Sequence, residues 1–311
     1  MSVASTRVSR LRAWEVSPAR FRALALAALG WIYLVITTGA VVRLTGSGLG
    51  CEHWPKCGDT PFPERGAHAF IEFGNRVIGA VTIVFTLVAW LAARRMHGLP
   101  RRVRRLALAV FLGTAAQIPL GGLTVIFELH PLLVMAHFLL ALAVLGIAVV
   151  VVVEARGFEE GFATPLVPRE LRLAGLVLAA SGFVLAVSGA FATAAGPHAG
   201  DSSDIERLGT PVTSVAVHAA VTGVFGSIFL LVLGYLAARR DRSPRLFAVA
   251  LGVLALLLVQ VAIGETQYHS GLPWLLVLVH VAVASAVWAG IAALVTLFFR
   301  APVSFRPANV D

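Results

Sequence analysis

The stretch Gln117–His137, QIPLGGLTVIFELHPLLVMAH, is written a second time as Gln260–His280, QVAIGETQYHSGLPWLLVLVH. The copies align without a gap. They share the opening glutamine, Gly121 with Gly264, Leu129 with Leu272, Leu132 and Leu133 with Leu275 and Leu276, and the closing histidine. Each ends a short way inside an apolar run. An imidazole placed inside a membrane is costly and as a rule functional; an internal repeat that copies it argues against accident.

Around this pair the chain is overwhelmingly apolar. Of 311 residues, 58% are hydrophobic and 13% charged, with a mean hydropathy of +0.87. That composition excludes a soluble domain and indicates a polytopic membrane protein. Eight segments, near 22–42, 70–93, 106–127, 132–153, 172–192, 212–237, 246–267 and 274–298, can each cross a ~30 Å hydrocarbon layer as a helix of ~20 residues. Helices satisfy their own backbone polar groups, as lipid demands. The expected fold class is therefore all-α, with eight transmembrane helices.

The arginines set the orientation. Of 25 basic residues, 20 fall before span 1, between spans 2 and 3, 4 and 5, and 6 and 7, or after span 8; the other side holds Arg43, Lys56, Arg65, Arg76 and Arg207. The positive-inside rule then places both termini in the cytoplasm, with a cell membrane as location and the segment 43–69 outside it. The net charge of +9 resides in these loops, which marks lipid as the neighbour and excludes a nucleic-acid partner. Arg7, Arg10, Arg12, Arg20 and Arg22 ahead of span 1 resemble the charged start of a signal peptide. The apolar run is too long for one and no cleavage-type site follows before Arg43, so span 1 is read as retained.

The halves match beyond the opening pattern. Thr38-Gly39-Ala40 closes span 1 and Ser188-Gly189-Ala190 closes span 5; Leu91-Ala92-Ala93-Arg94-Arg95 closes span 2 and Leu236-Ala237-Ala238-Arg239-Arg240 closes span 6. Each half has an even number of spans and starts on the same side, so the expected architecture is two parallel four-helix-bundle repeats. The boundaries are 1–21 for an N-terminal segment, 22–154 and 172–298 for the repeats, 155–171 for the linker and 299–311 for the tail.

The intramembrane polar groups gather toward the external side. His137, His280 and His218 lie at like depth in spans 4, 8 and 6. Glu72, Asn75 and Arg76 share one face of span 2, being at i, i+3 and i+4. Paired by repeat, His218 with His280 forms one candidate site, and Asn75, Glu72 and His137 another. Facing histidines on neighbouring helices of a bundle suit haem. An amide is a poor iron ligand, so a haem in the first half would rest on His137, with an open face near Glu72. A salt bridge from Glu72 to Arg76 is the plainer alternative. The remaining histidines, His53, His68, His97, His130, His198 and His269, fall in loops or at span ends.

The loop after span 1 carries Cys51 and Cys57, the only cysteines of the chain, with Pro55 between them. In an oxidising compartment a disulfide is the default, either as a loop staple or as a redox relay.

At these residues the chain resembles the haem A synthase family. The resemblance rests on Thr38-Gly39-Ala40-Val41-Val42-Arg43, Thr45-Gly46-Ser47-Gly48-Leu49, the Cys51…Trp54-Pro55…Cys57 loop, Ile71-Glu72-Phe73-Gly74-Asn75-Arg76, Gly121-Gly122-Leu123-Thr124-Val125, and Gly264…Thr266-Gln267-Tyr268…Gly271-Leu272-Pro273. It extends from about 22 to 298. It implies oxidation of a porphyrin methyl group of haem O to the formyl group of haem A, supporting haem-copper oxidase assembly. It also implies haem b held by His218 and His280, the haem O substrate held by His137, and Glu72 as an essential carboxylate. Arg43 and Arg76 would be contacts for propionates. Haem O synthase and cytochrome oxidase assembly factors are the implied partners, and a homo-oligomer stays open. Many relatives carry a histidine where this chain has Asn75. The rival readings are a cytochrome-b-type transmembrane electron carrier and a secondary transporter.

Overall fold

Each of the eight apolar runs forms one helix in the computed structural model, which describes residues 16–51, 54–58, 62–63, 66–201 and 205–306. Arg7, Arg10 and Arg12 of the expected N-terminal segment, His53, Arg65 and the tail from 307 lie outside the described residues. The helices are α1 (Pro18–Leu44), α2 (Ala67–Arg95), α3 (Arg101–Ile126), α4 (Pro131–Glu160), α5 (Arg169–Ala195), α6 (Pro211–Ala238), α7 (Pro244–His269) and α8 (Trp274–Arg300), followed by a 3-10 turn at Val303–Phe305. All eight are long and apolar enough to cross a membrane.

Proline at the first turn starts α1, α4, α6 and α7, where its missing N–H costs nothing. Ser17 and Thr210 cap α1 and α6 through their hydroxyls. The helices overrun the expected spans. Hydropathy marks only the stretch that sits in hydrocarbon, whereas the backbone ladder runs on into the interface. Thus α4 continues past 153 to Glu160 and ends at Gly161, whose φ of 87° breaks the helix. The irregular part of the connection to α5 begins there.

Each half closes a ring. Helix α1 packs on α2, α2 on α3, α3 on α4 and α4 back on α1; α5 to α8 repeat the cycle. The halves meet along α4 and α8, flanked by α1 against α8 and α4 against α5. A twofold exchange of the halves maps the α4–α8 contact onto itself and swaps the other two, as parallel repeats require. Across this seam Trp288 Nε1 donates to the Leu142 carbonyl at 2.7 Å, and Tyr33 Oη to the Ala282 carbonyl at 3.0 Å. The duplication reaches the backbone. Leu129 and Leu272 both adopt the left-handed region, at φ 58° and 59°. Their amides donate to Thr124 and Gln267 carbonyls, each at 2.7 Å.

The two ends of the bundle are packed differently. At the arginine-rich end α6 buries Phe225, Phe229, Val232 and Leu236, α7 buries Leu246, Ala250 and Val253, and α8 is buried from Ser285 onward. Here Glu154, 1% exposed, is held by Arg300 at 3.2 Å and by Arg102 at 3.4 Å. Ala163 and Val303 amides donate to the Ala301 and Gly161 carbonyls, tying the connection to the chain beyond α8. At the opposite end, which carries the cysteine loop, α6 before Phe225, α7 after Val253 and α8 before Ser285 contain no buried residue. The first half repeats this: α2 buries nothing between Glu72 and Thr82, nor does α3 between Thr114 and Gly122. In each half the cysteine-loop end of these helices is thus the less tightly packed one.

Candidate cofactor and active site

The candidate histidines lie along these less tightly packed stretches. His137 is the seventh residue of α4, His280 the seventh of α8, His218 the eighth of α6 and Asn75 the ninth of α2. At ~1.5 Å per residue all four lie ~9–12 Å along their helices from the cysteine-loop end. Each faces a glycine of the preceding helix. A Cβ built on Gly121 would lie 3.3 Å from His137 Cε1, one on Gly264 3.1 Å from His280 Cε1, one on Gly189 3.1 Å from His218 Cε1, and one on Gly39 3.9 Å from Asn75 Nδ2. The missing side chains let each ring lie against helix backbone, which fixes its direction.

Hydrogen bonds refine the seating. Ser188 Oγ lies 2.9 Å from His218 Nδ1, which leaves Nε2 to offer a lone pair. The Thr38 hydroxyl donates to Asn75 Oδ1 at 2.7 Å. Nδ1 of His137 and of His280, and Oε1 of Gln117 and of Gln260, are buried without a well-formed hydrogen bond. Such atoms each cost ~1–3 kcal/mol and call for an explanation. Two imidazoles at one depth, each on a glycine seat on a neighbouring helix, fit a haem. In the second half His218 and His280 are the residues that would hold it. In the first half the corresponding seats carry Asn75 and His137.

Glu72 is engaged at the cysteine-loop end of α2. It is buried, accepts from the Cys51 amide at 2.8 Å on Oε2, and pairs through Oε1 with Arg76. Arg76 donates as well to the carbonyls of Pro55 at 3.2 Å and Lys56 at 3.0 Å. Cys51 and Cys57 form a disulfide packed on Ala69, and Trp54 lies over Gly122 of α3. The loop therefore packs across the ends of α2 and α3, with Glu72 and Arg76 as its anchors on α2. Arg43 reaches the other half: Nε donates to the His198 carbonyl at 2.9 Å and Nη2 to that of Thr193 at 3.0 Å. Both arginines expected near propionates thus also brace loops.

The other described histidines are occupied at the surface or in turns. His68 bonds Ser47 at 2.9 Å, His198 the Leu272 carbonyl at 2.8 Å, and His130 and His269 sit by Glu206 and Glu265. Sequence reading gave no role to the four glycines, to Thr38 and Ser188, or to Trp54. The signal was in the repeat, where Thr38-Gly39 matches Ser188-Gly189, but it could not say what those residues touch.

The chain is similar to known proteins. A heme A synthase of Bacillus pumilus is 32% identical over 138 residues, 43% of this chain and 45% of that protein. One of Symbiobacterium thermophilum is 30% identical over 146 residues, 46% and 48%. One of Geobacillus kaustophilus is 33% identical over 111 residues, 34% and 33%. The matched stretches span between a third and a half of the length of these relatives. The family model described as COX15-CtaA, Cytochrome oxidase assembly protein, matches residues 22–292, from the start of α1 well into α8. The chain belongs to the COX15-CtaA family of cytochrome oxidase assembly proteins.

Proposed function

We propose that this membrane protein converts haem O to haem A, oxidising a porphyrin methyl group stepwise to a formyl group in support of cytochrome oxidase assembly. The repeats 22–154 and 172–298 divide the work, with 155–171 joining them. Both termini face the cytoplasm, and the Cys51–Cys57 loop faces outward from the cell membrane.

The first half takes the substrate. Haem O has an apolar tail and enters this half from lipid. His137, seated on Gly121, fixes the substrate iron. Glu72 positions water or accepts a proton beside the reacting methyl, and Arg76 keeps that carboxylate in place against the Cys51 amide. Arg43 and Arg76, at the cysteine-loop end, are the cations placed to meet propionates. In the second half His218 and His280 hold haem b, which when bound supplies an acceptor for the electrons removed. The protein's own contribution is orientation and tuning of the porphyrin. Haem O synthase and oxidase assembly factors are the partners this role calls for.

The observation that carries the reading is the repeat-related seating of His218 on Gly189 and His280 on Gly264 at one depth in a chain of this family. The test is extraction and chromatography of haems from cells expressing the chain with a haem O source. Haem A is expected, and Glu72→Ala should abolish it while haem b stays bound. Normal haem A in that variant removes Glu72 from the mechanism. Protohaem alone would favour the electron carrier, and no haem the transporter.

A further inference from the structure

Four side chains share one kind of seat, and one of them departs. We infer that the first-half site holds its haem iron through His137 alone, with the Asn75 amide N–H facing an open coordination position that takes a small neutral ligand. This rests on the first-half haem site proposed above.

Asn75 stands in the place of His218. Both lie on the second helix of their half. Both sit on a glycine of the first helix, and both bond the hydroxyl that immediately precedes that glycine: Thr38 Oγ1 to Asn75 Oδ1 at 2.7 Å, Ser188 Oγ to His218 Nδ1 at 2.9 Å. The hydroxyl fixes what the side chain can offer. On His218 it engages Nδ1 and leaves Nε2 to offer a lone pair. On Asn75 it engages Oδ1 and leaves Nδ2, which has protons to donate and no lone pair for iron. The amide also ends one atom short of imidazole Nε2. A Cβ added to Gly39 would lie 3.9 Å from it, against 3.1 Å from His218 for one added to Gly189.

Nothing beside it makes up the shortfall. Glu72 and Arg76, the neighbours on the same helix face, are committed to the cysteine loop, and Asn75 Nδ2 has no hydrogen bond among the described residues. The first site is therefore closed on the His137 side and furnished with a hydrogen-bond donor on the other. The second is closed by imidazole on both sides. A water or a neutral diatomic is the ligand class such a donor stabilises.

The test uses the full chain in detergent, loaded with protohaem as the probe, with haem stoichiometry, spin state and carbon monoxide binding as readouts. Two equivalents are expected, one of them lost in His137→Ala. That His137-dependent haem should be high-spin and bind carbon monoxide once reduced. Asn75→His should turn it low-spin and suppress carbon monoxide binding, while the His218–His280 haem, retained, shows the variant folded. Asn75→Leu should keep carbon monoxide binding but release it roughly 2- to 10-fold faster, the loss of one neutral hydrogen bond. A His137-dependent haem that is low-spin and silent to carbon monoxide in the unaltered chain overturns the inference, as does an unchanged spin state in Asn75→His. Unaltered release from Asn75→Leu overturns the amide's part in it. If His137→Ala removes no haem, the fault lies with the first-half site itself.

Discussion

Gly264→Ala should weaken haem binding in the second half while leaving the haem-free fold as stable as before or more so. The added Cβ would lie 3.1 Å from His280 Cε1 and 3.6 Å from Nδ1, where ordinary contact begins at 3.4 Å. The ring, or α8 with it, must retreat by about 0.3 Å, and metal–ligand distances tolerate about 0.2 Å. Overpacking of this kind costs ~1–3 kcal/mol, which is roughly 5- to 150-fold in affinity. Against it, replacing a mid-helix glycine by alanine contributes ~1 kcal/mol to the helix. The two effects carry opposite signs and appear in different measurements. Transfer of haem to excess apomyoglobin reads the affinity; thermal melting of the haem-free protein in detergent reads the fold. The seats also predict a ranking. Gly121→Ala, at 3.3 Å from His137, should act more mildly on the first-half haem, and Gly39→Ala, with Asn75 3.9 Å away, should have no effect. Undiminished haem affinity in Gly264→Ala, or an equal loss in all three variants, would refute the claim that these glycines seat the axial side chains.

Three further outcomes are expected. Glu154→Gln should lower the melting temperature by the equivalent of ~1–2 kcal/mol. Arg300 and Arg102 lose their partner, but with side chains 35% and 63% exposed they can turn to water, so the ~3–5 kcal/mol of a fully buried broken pair is not reached; an unchanged melt would deny the clasp a part in stability. Trp288→Phe, which removes the 2.7 Å bond to the Leu142 carbonyl, should cost ~0.5–1.5 kcal/mol in the same assay, and a neutral result would show that ring packing alone holds the seam. For orientation, a cysteine at Asp241 in the α6–α7 turn, with Cys51 and Cys57 changed to serine, should react with an impermeant maleimide only after cells are permeabilised. Labelling of intact cells would invert the proposed topology.

The eight spans and their duplication were legible because hydropathy and repeat spacing are local properties. The depth of His137, His218 and His280 followed from counting along each span. Partnerships across helices were not legible. Glu72 and Arg76 are visibly at i and i+4 and do pair, but that the Cys51 amide completes the group depends on how the loop folds back. Arg43 looked like a residue of its own half, yet its donors go to carbonyls at 193 and 198. Glu154 fell at the edge of the expected linker because a carboxylate ends a hydropathy window; the helix runs through it, since two arginines from α3 and α8 neutralise it there. In each case the missing information was the identity of a neighbour far away in the chain.

The uneven packing of the two ends has an energetic consequence for the proposed function. Between helices in lipid the attraction is van der Waals contact and interhelical hydrogen bonding, because the surrounding chains are as apolar as the side chains. The arginine-rich end has that contact, with Phe225, Phe229, Leu246, Ile291 and Phe298 interlocked. The cysteine-loop end of α6, α7 and the start of α8 does not, so there His218 and His280 are held mainly by Gly189, Ser188 and Gly264. A porphyrin between those helices would provide a broad apolar face to both. Its binding energy would then stabilise the fold as ~RT ln(1 + [L]/Kd), about 2.7 kcal/mol at a hundredfold excess over Kd. On this argument haem loading should raise the melting temperature, and hydrogen exchange should show protection gained at the cysteine-loop ends of α6 and α7 and little change at the Glu154 clasp. Equal protection at both ends would mean that haem does not complete the core of the second half.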